Sequence, residues 1–345
     1  MINQKIYFLL ALFILCFIPL KAQNVNDFFY VDSENKELPV FIRGNLDSQT
    51  ILVYVQGGPG ETAIDFGRSD YPNWKNTLEK NIAIAYYDQG GLNQKASKID
   101  TTKINYKQYS KDLIKISRVL KEKYQAKIFL MGHSYGGGFV YHCLSEITEI
   151  NNTIEGGIIL NTPVTTDYSP ERNSYYRPLY LKNLAQEFID KGIDAQKWQE
   201  AYDWMDKTST LDSSESMRKW NAYVDSAFTP TKRKTSIGMI SKVIFSKPYH
   251  PFQYANRKDN ELVSDLIWED AKNINFFDRL PKIKLPVLII TGRFDDIAGP
   301  EEAQKAKELL PNSKLVILPN AGHESFLDQP KLFNEAFLEF IFQNK

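Results

Sequence analysis

Two cysteines, Cys16 and Cys143, are all that 345 residues contain, which excludes a disulfide framework. Histidine is scarce too, at four. There is no H-E-x-x-H, no cysteine pair at metal-ligand spacing, no P-loop and no dinucleotide fingerprint, so neither a metal nor a cofactor is expected. An excess of one charge is also missing: 42 Lys and Arg balance 42 Asp and Glu. Removing the first 22 residues, which carry Lys5 and Lys21 and no acid, leaves a slight acidic excess. Nothing in that balance suits nucleic acid or an anionic membrane surface. Long apolar runs are absent except for Ile6–Leu20, which is short for a membrane span of roughly 20 residues. With Lys5 ahead of it and the small Ala22 behind, residues 1–22 read as a signal peptide, implying export to the periplasm or the cell exterior. An uncleaved anchor is the alternative. Cleavage would leave Cys143 as a lone thiol.

What is present is an alternation of short β-rich runs with helical stretches. Phe28–Val31, Val40–Ile42 and Ile51–Val55 come first, followed by Ile82–Tyr87, Lys127–Met131, Gly157–Leu160, Val287–Thr291 and Leu315–Leu318. Between them, Tyr106–Tyr124 sets Leu113, Ile116 and Leu120 on one helical face, and Lys331–Phe342 is amphipathic. Continuous apolar runs separated by helices predict an α/β protein with a mostly parallel sheet and helices on both faces. Between Val164 and Phe277 the rhythm breaks. That stretch is rich in Tyr, Trp, Lys, Asp and Ser, with helical segments at Leu179–Ile189 and Gln196–Lys207 and no core strand. It reads as a helical cap over the ends of the sheet, inserted after the sixth strand, and alternatively as a separate small domain. The expected organisation is therefore a core at 23–163 and 278–345, interrupted by a cap at 164–277.

Gly132-His133-Ser134-Tyr135-Gly136 fits the G-x-S-x-G nucleophile elbow and lies between a strand and a helix, where that chemistry needs it. A serine on a sharp strand-to-helix turn projects its Oγ above the sheet, and the N–H groups of the new helix face a developing oxyanion. A serine hydroxyl needs a base to take its proton. Of the four histidines, His133 sits in the elbow pointing away from Oγ, His142 lies within the next helix and His250 belongs to the insertion. Only His323, in Ala321-Gly322-His323-Glu324, joins a loop at a strand end to the Ser…Asp…His order of the α/β-hydrolase fold. The acid should follow Val287–Thr291, where Gly292-Arg293-Phe294-Asp295-Asp296 offers two. Asp295 is preferred as the group that orients the imidazole, leaving Asp296 as a solvated loop acid or a helix cap. The loop Gln56-Gly57-Gly58-Pro59-Gly60 follows the strand Ile51–Val55, and the N–H groups of Gly58 and Tyr135 are the natural oxyanion pair.

Gln56–Gly60, Asp88-Gln89-Gly90-Gly91, Gly132–Gly137 and Gly292–Asp295 together resemble the proline iminopeptidase family of α/β-hydrolases. That family carries H-G-G-P-G, D-Q-R-G and G-x-S-x-G-G, with a helical cap between its sixth and seventh strands. The resemblance implies hydrolysis of a peptide bond to release an N-terminal residue, commonly proline, with the oxyanion held at Gly58 and Tyr135. It also implies that Asp88 supports the site's turn rather than the chemistry. Gln56 and Gly90 depart from the family's histidine and arginine. The cap motif W-x-x-W-E, whose glutamate holds the substrate's amino group, is matched only in part by Trp220-Asn221-Ala222-Tyr223-Val224. Glu171, Asp203, Asp206 and Asp225 are the candidates to replace that carboxylate, and Asp225 is preferred because it adjoins the partial motif.

The expected partner is a small molecule or short peptide. A peptidase is the leading reading, and an ester, lactone or simple-amide hydrolase keeps the same machinery. A non-catalytic binding protein of this fold is the reading from another class.

Overall fold

The computed structural model describes residues 24–344 except 35, 167–168, 209 and 246–254. The signal-peptide expectation at 1–22, with Cys16, and the placement of His250 lie outside the described residues.

Eight strands form one sheet: β1 Asn24–Ser33, β2 Lys36–Asn45, β3 Thr50–Val55, β4 Ala83–Tyr87, β5 Lys127–His133, β6 Gly156–Leu160, β7 Val287–Gly292 and β8 Ser313–Leu318. Their spatial order is β1-β2-β4-β3-β5-β6-β7-β8. β1 and β2 form an antiparallel hairpin whose inner strand pairs antiparallel with β4, and every other pairing is parallel. The hairpin strands run well past the short apolar patches that announce them in the sequence. Register with a partner strand, rather than hydrophobicity, sets their length.

Successive residues of the central strands feed two different cores, as the period of two along a strand requires. Val53, Val55, Ile128 and Leu130 face one side, where Leu113, Leu120, Phe139 and Val140 of the helices Tyr106–Tyr124 and Tyr135–Glu146 cover them. Leu52, Tyr54, Phe129 and Met131 face the other, against Ile64 and Phe66 of Ala63–Ser69 and Phe333, Phe337 and Phe340 of Pro330–Gln343. Being apolar on both faces, β3 to β7 lose the polar alternation of a half-exposed strand, and so appear in the sequence as continuous apolar runs.

The helices Arg177–Asp190, Ala195–Lys207 and Ser214–Asp225, between β6 and β7, share a third core of their own. Leu181, Leu184, Trp198, Met205, Trp220 and Val224 are all buried in it. Where this region departs from the sheet, Glu302 accepts from the backbone N–H groups of Val164 (2.9 Å) and Thr165 (3.3 Å) and pairs with Arg172 at 3.2 Å. Both side chains of that pair are 3 % exposed. Breaking a buried ion pair costs about 3–5 kcal/mol, because the surviving charge is stranded. Glu302→Leu should therefore lower the unfolding free energy by about that amount in urea denaturation, whereas Glu302→Gln, which keeps an acceptor for the two amides, should cost less. Equal, small losses for both variants would show that the pair does not anchor this region.

Candidate active site

β5 ends at His133 and a helix begins at Tyr135, leaving Ser134 alone at the turn with φ 53° and ψ −126°. A side-chain-bearing residue held there costs of order 1–3 kcal/mol, so the surroundings must impose it. The Ser134 N–H donates to Leu160 O of β6 at 2.8 Å, and its carbonyl accepts from the Gly137 N–H at 3.1 Å. Strand and helix approach closely enough that a β-carbon at Gly132 would lie 2.3 Å from Gly136 O, and one at Gly136 would lie 2.3 Å from Val55 O. The two glycines of the motif are thus required by backbone contact on opposite sides of the serine.

His323 follows β8 and directs Nε2 to Ser134 Oγ at 2.9 Å and Nδ1 to Asp295 Oδ1 at 3.0 Å. Asp295, just past β7, has no exposed surface. Its Oδ1 also accepts from the N–H groups of Ile297 (3.0 Å) and Ala298 (2.8 Å), and its Oδ2 accepts from Asn161 Nδ2 at 2.8 Å. Burial pushes this carboxyl up, but the charge on His323 and the converging hydrogen bonds outweigh it and bring the pKa down to about 2. Asp295 is therefore an anion at every working pH. Burial likewise disfavours the imidazolium of His323, yet the Asp295 carboxylate overrides it and raises the ring above its ordinary 6.5. With Nδ1–H donated to Asp295, Nε2 is left as the acceptor for the Ser134 hydroxyl, the arrangement that can draw a proton from serine.

Gly58 and Tyr135 both border a cavity with Ser134, and neither backbone N–H donates to another described residue. Gly58 holds φ +115°, a conformation that favours glycine. Asp88 accepts from the Ile64 N–H at 3.1 Å, fastening the start of the helix that follows this loop, and burial pushes its carboxyl up to about 7. At Gly90 the amino group of Lys36 lies 3.3 Å from where a β-carbon would stand. A cation from β2 thus reaches the place where the family pattern has its arginine.

Three expectations change. Asp296 is neither solvated nor a helix cap: it is half-buried, borders a cavity with Ser134, and Gly299 caps the helix Pro300–Leu309. Asp225 is exposed at the end of its helix and lines neither cavity at Ser134, although its charge is felt by Asp296. Val224, where the family pattern has its carboxylate, is instead buried in the third core, so that position faces inward to pack. Glu171, Asp203 and Asp206 likewise line neither cavity at Ser134. His133 directs Nε2 to the His323 carbonyl at 3.1 Å, and burial keeps it neutral by lowering it to about 3. His142 Nδ1 pairs with Ser110 Oγ at 2.9 Å. Asn161 belongs to no motif in the sequence. It bridges Asp295, the Gly322 carbonyl (3.1 Å) and the Ser325 hydroxyl, and its one signal is an asparagine directly after a buried strand, at φ 47°.

Two cavities meet at Ser134. The wider, about 780 Å³, is bordered by His323, Glu61, Asp65, Tyr71, Arg257 and Glu324. The narrower, about 370 Å³, is bordered by Tyr135 and Asp296 and, from the region between β6 and β7, by Arg172, Arg177, Trp220 and Asn221. That region therefore contributes to the walls around the serine and does not stand apart from it.

A family model described as the alpha/beta hydrolase fold matches residues 50–330. The chain is 20% identical to the probable aminopeptidase YbaC of Bacillus subtilis (strain 168), over 87% of this chain and 91% of that protein. It is 23% identical to a proline iminopeptidase of Lactobacillus crispatus (strain ST1), over 88% and 94%. Its fold matches the crystal structure of the proline iminopeptidase of Mycobacterium smegmatis with a TM-score of 0.57 at 14% identity, over 92% of this chain and 98% of that one.

A base of this kind works only when neutral. With an uncharged ester, kcat/KM should fall on the acid side with a midpoint above 6.5, because Asp295 holds the imidazole charge up. Asp295→Asn should lower kcat by about 10³-fold or more and move that midpoint down. A loss below about tenfold with an unmoved midpoint would remove Asp295 from the role.

Proposed function

The chain belongs to the α/β-hydrolase family, and from that premise we propose that it is a serine hydrolase of aminopeptidase type, releasing N-terminal residues from short peptides. The observation that carries this reading is the continuous hydrogen-bonded path from Asp295 through His323 to Ser134 on a cavity wall. Ser134 Oγ attacks the carbonyl carbon while His323 Nε2 takes its proton. The Gly58 and Tyr135 N–H groups receive the charge that builds on the carbonyl oxygen. His323 then returns the proton to the departing amine, and a water molecule repeats the sequence to release the acyl group. Asp295 keeps the imidazole in the productive tautomer and stabilises its protonated form.

The peptidase part is supported by the resemblance of four stretches to the motifs of proline iminopeptidases and by relatives of that name that cover most of the chain. Gln56, Gly90 and Val224 depart from the motifs and favour a second reading, in which a small uncharged acyl group from an ester, lactone or amide takes the same place. Export is proposed on the strength of Lys5 and the apolar run Ile6–Leu20.

Ser134→Ala and His323→Ala should each lower kcat on an aryl ester or aminoacyl arylamide by on the order of 10³ to 10⁶, and the double variant hardly further, because the two side chains act as one unit. Multiplicative losses in the double variant would refute the pairing. A wild-type enzyme that cleaves short-chain aryl esters well and aminoacyl arylamides not at all would replace the peptidase reading with the second one.

A further inference from the structure

The two cavities at Ser134 differ in the machinery that faces them. His323 borders the wider one, while Tyr135 and Asp296 border the narrower. A protonated imidazole must hand its proton to the leaving group, so the leaving group lies on the His323 side. The acyl group, whose carbonyl oxygen rests on the Gly58 and Tyr135 N–H groups, then fills the other. Building on the aminopeptidase reading, we propose that the narrower cavity is the acyl pocket and that Asp296 is the carboxylate that receives the α-ammonium group of the residue released.

Three observations converge on Asp296. It is the one acid among the described residues bordering that cavity. It accepts no hydrogen bond from another described residue and joins no ion pair, whereas the carboxylates of the wider cavity are engaged. Glu61 accepts from Gln56 Nε2 at 2.8 Å, Glu324 accepts from the Tyr71 hydroxyl at 3.0 Å, and Asp65 pairs with Arg257. The two arginines bordering the narrower cavity are engaged by groups other than Asp296: Arg172 pairs with Glu302, and Arg177 donates to Asn173 and lies over the Trp220 ring. Burial, with Asp295 as its neighbour, pushes the Asp296 carboxyl up. A half-buried carboxyl in that position gains most from a cation of its own. At about 370 Å³, walled by Tyr106, Trp220, Trp268 and Phe276, the pocket suits one residue with an apolar side chain or ring. The amino-group site thus stands on the β7 loop beside the catalytic acid, and Trp220, Trp268 and Phe276, from between β6 and β7, supply most of the apolar wall.

The test uses two 4-methylumbelliferyl esters of equal shape, prolyl and cyclopentanecarbonyl, which differ in the charged ring nitrogen. Wild type should prefer the prolyl ester by about tenfold or more in kcat/KM. Asp296→Asn should raise KM for the prolyl ester by about tenfold or more and change kcat/KM for the carbocyclic ester by less than about threefold, and Asp296→Glu should recover part of the prolyl KM. Equal losses on both esters would overturn the proposal and make Asp296 a support for Asp295. A wild-type preference that survives Asp296→Asn would overturn the assignment of Asp296 alone. A wild type with no preference for the prolyl ester would overturn the aminopeptidase reading with it.

Discussion

The backbone of Ser134 sits at φ 53° and ψ −126°, a place a side-chain-bearing residue does not adopt unaided, and the rest of the site is arranged around holding it there. The cost, of order 1–3 kcal/mol, is borne by packing on both sides of the sheet. β5 is buried at every position from Ile128 to His133, hydrogen-bonded to β3 on one side and β6 on the other. The helix that leaves the turn carries Phe139 and Val140 into the same core. Gly132 and Gly136 have no side chains because backbone atoms already occupy that space. The turn thus follows from a strand and a helix packed too tightly for anything else to connect them, and its by-product is a hydroxyl raised clear of the sheet beside two N–H groups that have no acceptor among the described residues.

Electrostatics finish what the turn begins. Asp295 is fully buried, which alone would favour its neutral form, yet two backbone N–H groups, the Asn161 amide and His323 together keep it ionised. That fixed anion sets the tautomer and raises the basicity of His323, so the ring carries its acceptor nitrogen toward Ser134. Asp296, next in the chain, meets the opposite fate. It lacks those donors, lies beside the Asp295 charge and is pushed up. Adjacent carboxyls with opposite shifts can serve different purposes, one orienting the base and the other facing the substrate cavity.

Much of this was legible in the sequence, because it rests on local pattern. The central strands are buried on both faces, so they read as unbroken apolar runs. The elbow glycines are forced by backbone contact between neighbouring elements, so they read as a motif. His323 stands out by elimination among four histidines. The rest depends on contacts far apart in the chain. Nothing near Asn161 announces that it meets Asp295 and Ser325, 134 and 164 residues away. Nothing near Arg172 announces Glu302, and the burial of Asp296 is set by elements that the loop itself does not contain. Adjacency to a partial motif favours Asp225 in the sequence. Helical geometry turned it to solvent while burying Val224, one residue before it.

The whole site turns on Ser134 acting as a nucleophile activated by His323. Intact and peptide mass spectrometry after incubation with a fluorophosphonate reads this directly. A single stoichiometric adduct is expected on the peptide that contains Gly132-His133-Ser134-Tyr135-Gly136, lost in Ser134→Ala and slowed by orders of magnitude in His323→Ala. An unmodified protein, an adduct on another residue, or labelling that proceeds at the wild-type rate without His323 would contradict it.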